Sequence, residues 1–74
     1  MFEELIGKNV KCVWMDNGLS KAITGLMIKV NDPDFNKLFI RIKGEADNIP
    51  LNISINSIVT FKEKGSTINM VKSH

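Results

Sequence analysis

Leu19–Val30, LSKAITGLMIKV, is an unusually long run of β type. Ala22, Thr24, Leu26, Ile28 and Val30 share one face, while Lys21, Ile23, Gly25, Met27 and Lys29 share the other. That period of two is the signature of a strand. Gly25 sits in the middle of the run. A glycine inside a strand pattern marks a bulge or a sharp bend. A long strand bent at its middle can serve two parts of a sheet at once, which is how a very small barrel is built. Asp16-Asn17-Gly18 leads into the run and is a strong hairpin signal. Asp32-Pro33-Asp34-Phe35-Asn36 leads out of it.

The flanking segments are read as shorter elements around that bend. Phe2–Ile6 is long enough for one to two helical turns, with Glu3 and Glu4 suited to a helix start and Gly7 to its end. Lys8–Met15 alternates as a first strand, setting Val10, Cys12 and Trp14 against Lys11, Val13 and Met15. Asn31–Asn36 reads as a loop, since Pro33 breaks strand pairing and Asn and Asp favour turns. Lys37–Lys43 and Ile49–Ile55 read as strands three and four, joined by a polar loop at Gly44–Asn48. Ile58–Lys62 reads as strand five after a tight connection at Asn56-Ser57. The expectation is one mostly β domain over residues 1–62: a short N-terminal helix, then a five-stranded, strongly bent antiparallel barrel. Residues 63–74 are expected to form a flexible polar tail, with His74 at its end.

Composition narrows the function classes. A chain of 74 residues buries only a small core, so extra stability is expected from an oligomer or a partner. The single cysteine excludes an internal disulfide, and no Cys/His cluster suits a structural zinc. Asp32, Asp34, Asn31 and Asn36 lack the twelve-residue spacing and closing glutamate of a calcium loop, so no metal or other cofactor is expected. No nucleophile–base pair is legible either, which predicts a protein that is not an enzyme and has no small-molecule substrate. Net charge is only +2, but residues 8–43 hold seven basic side chains against three acids. That bias is compatible with nucleic acid. No apolar run has membrane-spanning length, and MFEELIG carries acids where a signal peptide needs bases. Together with the lone Cys12 this predicts a cytoplasmic protein with no membrane partner.

Three pieces of the sequence resemble the Sm-like family, which includes the Sm proteins of splicing particles, archaeal Sm-like proteins and bacterial Hfq. Leu5-Ile6-Gly7-Lys8-Asn9-Val10 looks like the family's helix end and entry to strand one. Asp16-Asn17-Gly18, followed by a strand with central Gly25, looks like the first half of its first motif. Asp32-Pro33-Asp34-Phe35-Asn36 looks like that motif's D-x-x-h-N loop, where h is apolar or aromatic. The Gly18–Gly25 and Gly25–Asp32 intervals are longer than the family pattern by two residues and by one. The second motif's Arg-Gly near Ser54-Ile55, or the Lys-His of Hfq near Ile55-Asn56, is absent.

The resemblance implies a small barrel of Sm-like or SH3-like type that binds single-stranded RNA. It implies that Phe35 stacks on a base, Asn36 bonds the base edge and Asp32 braces Asn36. Such chemistry is sound, because stacking contributes about 1–3 kcal/mol per base and an amide both donates and accepts. Asn56 falls where Hfq has its histidine, and Lys37 and Arg41 are candidates for phosphate contact. Each residue has a plainer reading. Asp32 forms an Asx turn, Phe35 packs on the barrel, Asn36 and Asn56 support turns, and Arg41 belongs to a solvated strand face. The missing Arg-Gly or Lys-His supports the alternative, a structural or protein-interaction ring of the same fold without RNA binding.

Asn48–Phe61 contains no charged residue. A soluble monomer normally protects such an edge with lysines, a bulge or a cover. Ile49, Leu51, Ile53 and Ile55 of strand four, with Ile58, Val59 and Phe61 of strand five, are therefore the expected oligomer interface. Pairing strand four of one copy with strand five of the next is heterologous and repeats until a ring closes. In the family such rings hold about five to seven subunits.

Overall fold

A computed structural model describes residues 2–71, so His74 lies outside the described residues. The chain is mostly β, with one five-stranded antiparallel sheet. β1 (Asn9–Asp16), β2 (Leu19–Ile28), β3 (Phe39–Gly44), β4 (Pro50–Ser54) and β5 (Ile58–Glu63) lie in the order β4-β3-β2-β1-β5. No ladder joins β4 to β5 among the described residues, so the sheet is open and these two strands are its edges.

The Asp16-Asn17-Gly18-Leu19 turn forms as its residues dictate. Asn17 and Gly18 both have positive φ, 50° and 78°, and Asp16 pairs with Leu19. Two positive values at the centre of a two-residue hairpin match the natural twist of the strands it joins. β2 then pairs with β1 from Leu19 to Leu26 and with β3 from Gly25 to Ile28. The two ladders overlap at Gly25 and Leu26, with Gly25 opposite Val10 on one side and Gly44 on the other. A Cβ on Gly25 would run into the Lys43 carbonyl oxygen, with Gly44 Cα 3.1 Å away. The glycine is thus required by a close backbone approach.

The inward face of β2 is the one carrying Ile23, Gly25 and Met27; Leu26 on the other face is exposed. The core gathers Leu5, Val10, Cys12, Met27, Ile40, Ile42, Ile53, Ile58 and Phe61. Phe61 is fully buried, and the Phe2 ring meets it edge-on with centroids 4.9 Å apart. Burying a large apolar side chain is worth about 1.5–3 kcal/mol, so these few residues carry much of the fold. Ile58 and Phe61 both point inward although they are three apart. The β1–β5 ladder shifts register between Val13 and Trp14, which leaves Val59 outside.

Three expectations are corrected. The N-terminal helix is only a 3₁₀ turn, Phe2–Leu5, tied to β2 by Gly7 N–H donating to the Met27 carbonyl at 2.9 Å. The loop expected at residues 31–36 contains a helix, α1 (Pro33–Leu38). Ile55, expected to end strand four, instead opens a second 3₁₀ turn, Ile55–Ser57, which includes the tight connection at Asn56-Ser57. Of the residues expected as a tail, Glu63 falls in β5, 64–71 form no strand or helix, and Met70 and Val71 pack against the core. No helix of the described residues is long and apolar enough to cross a membrane.

Candidate nucleic-acid interface

The segment after β2 is built by its own side chains. Asp32 is extended and caps α1, its Oδ1 accepting from the backbone N–H of Asp34 at 3.0 Å and of Phe35 at 3.3 Å. An aspartate in that position satisfies N–H groups a helix start leaves open. Pro33 follows at the first helical position, where its missing N–H costs nothing. Asn36 Nδ2 donates to the Val30 carbonyl at 2.8 Å, which fastens α1 to the end of β2. The implied brace between the Asp32 and Asn36 side chains is therefore replaced: each carboxylate or amide contact goes to backbone, and the Asn36 N–H reaches the Asp32 carbonyl at 3.0 Å.

Phe35 is half-buried. Its ring stacks on Phe39, with centroids 5.4 Å apart and planes 29° from parallel. The Arg41 guanidinium lies 5.1 Å from the Phe35 ring centre, a cation–π distance. Arg41 Nε donates to Asn52 Oδ1 at 2.8 Å, and the two residues are register partners across β3 and β4. Arg41 is thus oriented from two sides. The ion pairs among the described residues join Lys8 to Glu63, Lys21 to Asp16 and Lys64 to Glu45, so neither Lys37 nor Arg41 is spent in one of them.

Beside this cluster lies a cleft of about 350 Å³ between the N-terminal 3₁₀ turn and α1 with β3. Phe2, Ile6, Met27, Ile28 and Ile40 give it an apolar floor, while Asn36, Lys37, Phe39 and Arg41 form its polar and aromatic side, with Glu3 opposite. Of the residues singled out from sequence, Asn36, Lys37 and Arg41 line the cleft and Phe35 supports Arg41. Asn56 is exposed on the second 3₁₀ turn, an element that α1 touches, but it does not line the cleft. Asp32 serves the helix start. Sequence reasoning missed Phe39 and Asn52. The Phe35–Phe39 spacing of four brings side chains together only on a helix, and Asn52 meets Arg41 only once the β3–β4 register is known.

The expected interface residues divide. Ile53, Ile58 and Phe61 are buried inside the chain, so their side chains belong to its core. Ile49, Leu51 and Val59 remain exposed, and Ile55 is half-buried. Chemically, the surface of α1 and β3 offers two cations, an aromatic pair and an amide oxygen around an apolar cleft. Among the described residues no group of acids, cysteines and histidines could hold a metal. Compared with family models, curated proteins and solved structures, the chain matches none.

Proposed function

We propose that this chain is a divergent Sm-like module, not an enzyme, that assembles through its sheet edges into a closed ring and holds single-stranded RNA on the α1–β3 surface. The observation that carries the reading is Arg41, held by Asn52 and by the Phe35 ring beside Lys37 and the cleft. A fixed guanidinium next to an aromatic pair suits a phosphate and its base together. The strand order supports the assembly half, because it leaves β4 and β5 as edges and Leu51 and Val59 exposed on them.

A second reading, a structural ring without RNA, is favoured by one observation. The Phe35 ring is engaged by Phe39 and Arg41, and the Asn36 amide nitrogen by Val30. Anisotropy titrations with short U-rich and A-rich RNA oligonucleotides over a salt series separate the two. RNA binding should weaken steeply with salt, and Arg41→Ala or Lys37→Ala should flatten that dependence by about one phosphate contact each. Phe35→Ala should cost about 1–3 kcal/mol of affinity. Absence of binding at low salt would leave the structural ring.

A further inference from the structure

β5 has β1 on one side and, as the last strand of the sheet, an open edge on the other. Antiparallel partners alternate between pairs that bond across the ladder and pairs whose N–H and C=O point outward. Phe61, opposite Cys12, is of the outward kind. Its N–H donates to Asn69 Oδ1 at 3.0 Å, and its carbonyl accepts from the Met70 N–H at 2.7 Å. The chain reaches this position by a turn at Gly65, with Ser66 N–H donating to the Glu63 carbonyl at 2.9 Å. Asn69 Oδ1 also accepts from Val71 N–H at 3.1 Å, so one side chain fixes both the segment and the edge.

This cover is irregular, held apart from these bonds by the partial packing of Met70 and Val71 against the core. Residues 66–71 form no strand, Ile68 is 69% exposed, and the segment STINMV carries no charge to anchor it by ion pairs. Yet it occupies the backbone groups that another strand would need. We infer that residues 66–71 are a displaceable guard on β5: in the single chain they hold the Phe61 edge groups, and β4 of a second copy takes them over when the guard leaves. The occupant follows from the edges themselves, since β4 is the other edge strand and the uncharged run from Asn48 to Phe61 covers β4 and the first four residues of β5. This rests on the ring reading above. Because the guard is uncharged, its release should not respond to salt, unlike RNA binding.

The test compares the full chain with Asn69→Ala, which removes the acceptor for Phe61, and Met70→Pro, which removes the donor to its carbonyl. Light scattering coupled to size exclusion over a dilution series gives the assembly midpoint. Amide exchange at Phe61 reports the edge directly. Each variant should assemble at about tenfold lower concentration, the effect of one or two ordinary hydrogen bonds. If Met70→Pro fails to fold, Asn69→Ala alone decides. Assembly with unchanged midpoints overturns the guard and leaves the ring standing. Weaker assembly of Asn69→Ala also overturns it, by making the segment part of the interface. If Asn69→Ala frees the Phe61 amide but every protein stays a monomer, the ring reading fails and the guard with it.

Discussion

Replacing Gly25 by alanine should be the most damaging single-methyl change in the sheet. A Cβ there meets the Lys43 carbonyl oxygen head-on, its carbon at 2.8 Å and Gly44 Cα at 3.1 Å. All three are backbone atoms of β3 and cannot rotate aside. Relief requires β2 and β3 to separate at the point where β2 also leaves its ladder with β1. Overpacking of this kind costs about 1–3 kcal/mol and occasionally more. Removing a strand glycine returns about 0.5–1 kcal/mol of that through chain entropy. A net loss of about 1–2 kcal/mol corresponds to about 4–16 °C in Tm for a domain of this size. Gly44→Ala is the control. The atoms nearest its Cβ would be those of the Asp47 carboxylate and, at 3.6 Å, Ile23 Cδ1, side-chain groups that can shift at the cost of the bond Asp47 Oδ1 accepts from the Ile49 N–H. Thermal unfolding followed by circular dichroism should therefore rank the unmodified chain first, Gly44→Ala next and Gly25→Ala last. A Gly25→Ala protein as stable as the unmodified one would refute the close-approach argument.

Two further outcomes are expected. Leu51→Lys places charge on an exposed edge residue and should leave a folded chain that no longer assembles, whereas Ile53→Lys buries a charge in the core and should unfold it; equal unfolding by both, seen by circular dichroism, would contradict the division of β4. Burial pushes the Cys12 thiol up to about 12. Between the ordinary thiol value and that figure the unfolded chain loses a proton that the folded chain keeps, so this stabilisation is full below about 9 and declines as pH rises toward about 12. Denaturant titrations should show a downward slope on the order of 1 kcal/mol per pH unit in that window, and Cys12→Ala should remove that part of it.

The strands were legible because each is specified locally. Alternation in Lys8–Met15, the Asp16-Asn17-Gly18 turn and Gly25 are read within a few residues of one another, whereas a short link by itself makes strands neighbours, so the placing of β4 and β5 at opposite edges is not a local signal. α1 was missed by reading Pro33 as a breaker; an aspartate followed by proline is equally a cap and a first helical residue. That misreading also hid the Phe35–Phe39 stack. The inward turn of both Ile58 and Phe61 depends on a register shift against β1, and the cover on β5 on a single asparagine side chain. Neither leaves a periodic trace.

The strand order has a consequence for how the chain folds. β1 to β4 form a meander in which every ladder joins neighbours in sequence, but β5 pairs with the first strand, Val10 opposite Glu63, the ladder most distant in sequence. Local ladders close fast, and contacts distant in sequence wait on loop closure. Until β5 arrives, β1 has an open side and Val10 and Cys12 lack the Phe61 ring that covers them in the native state. On a ribosome that interval lasts until β5 has emerged. Nascent chains emerging side by side would then expose matching β1 edges before either can be sealed, which makes synthesis the stage at which this small sheet is most prone to pair with the wrong strand.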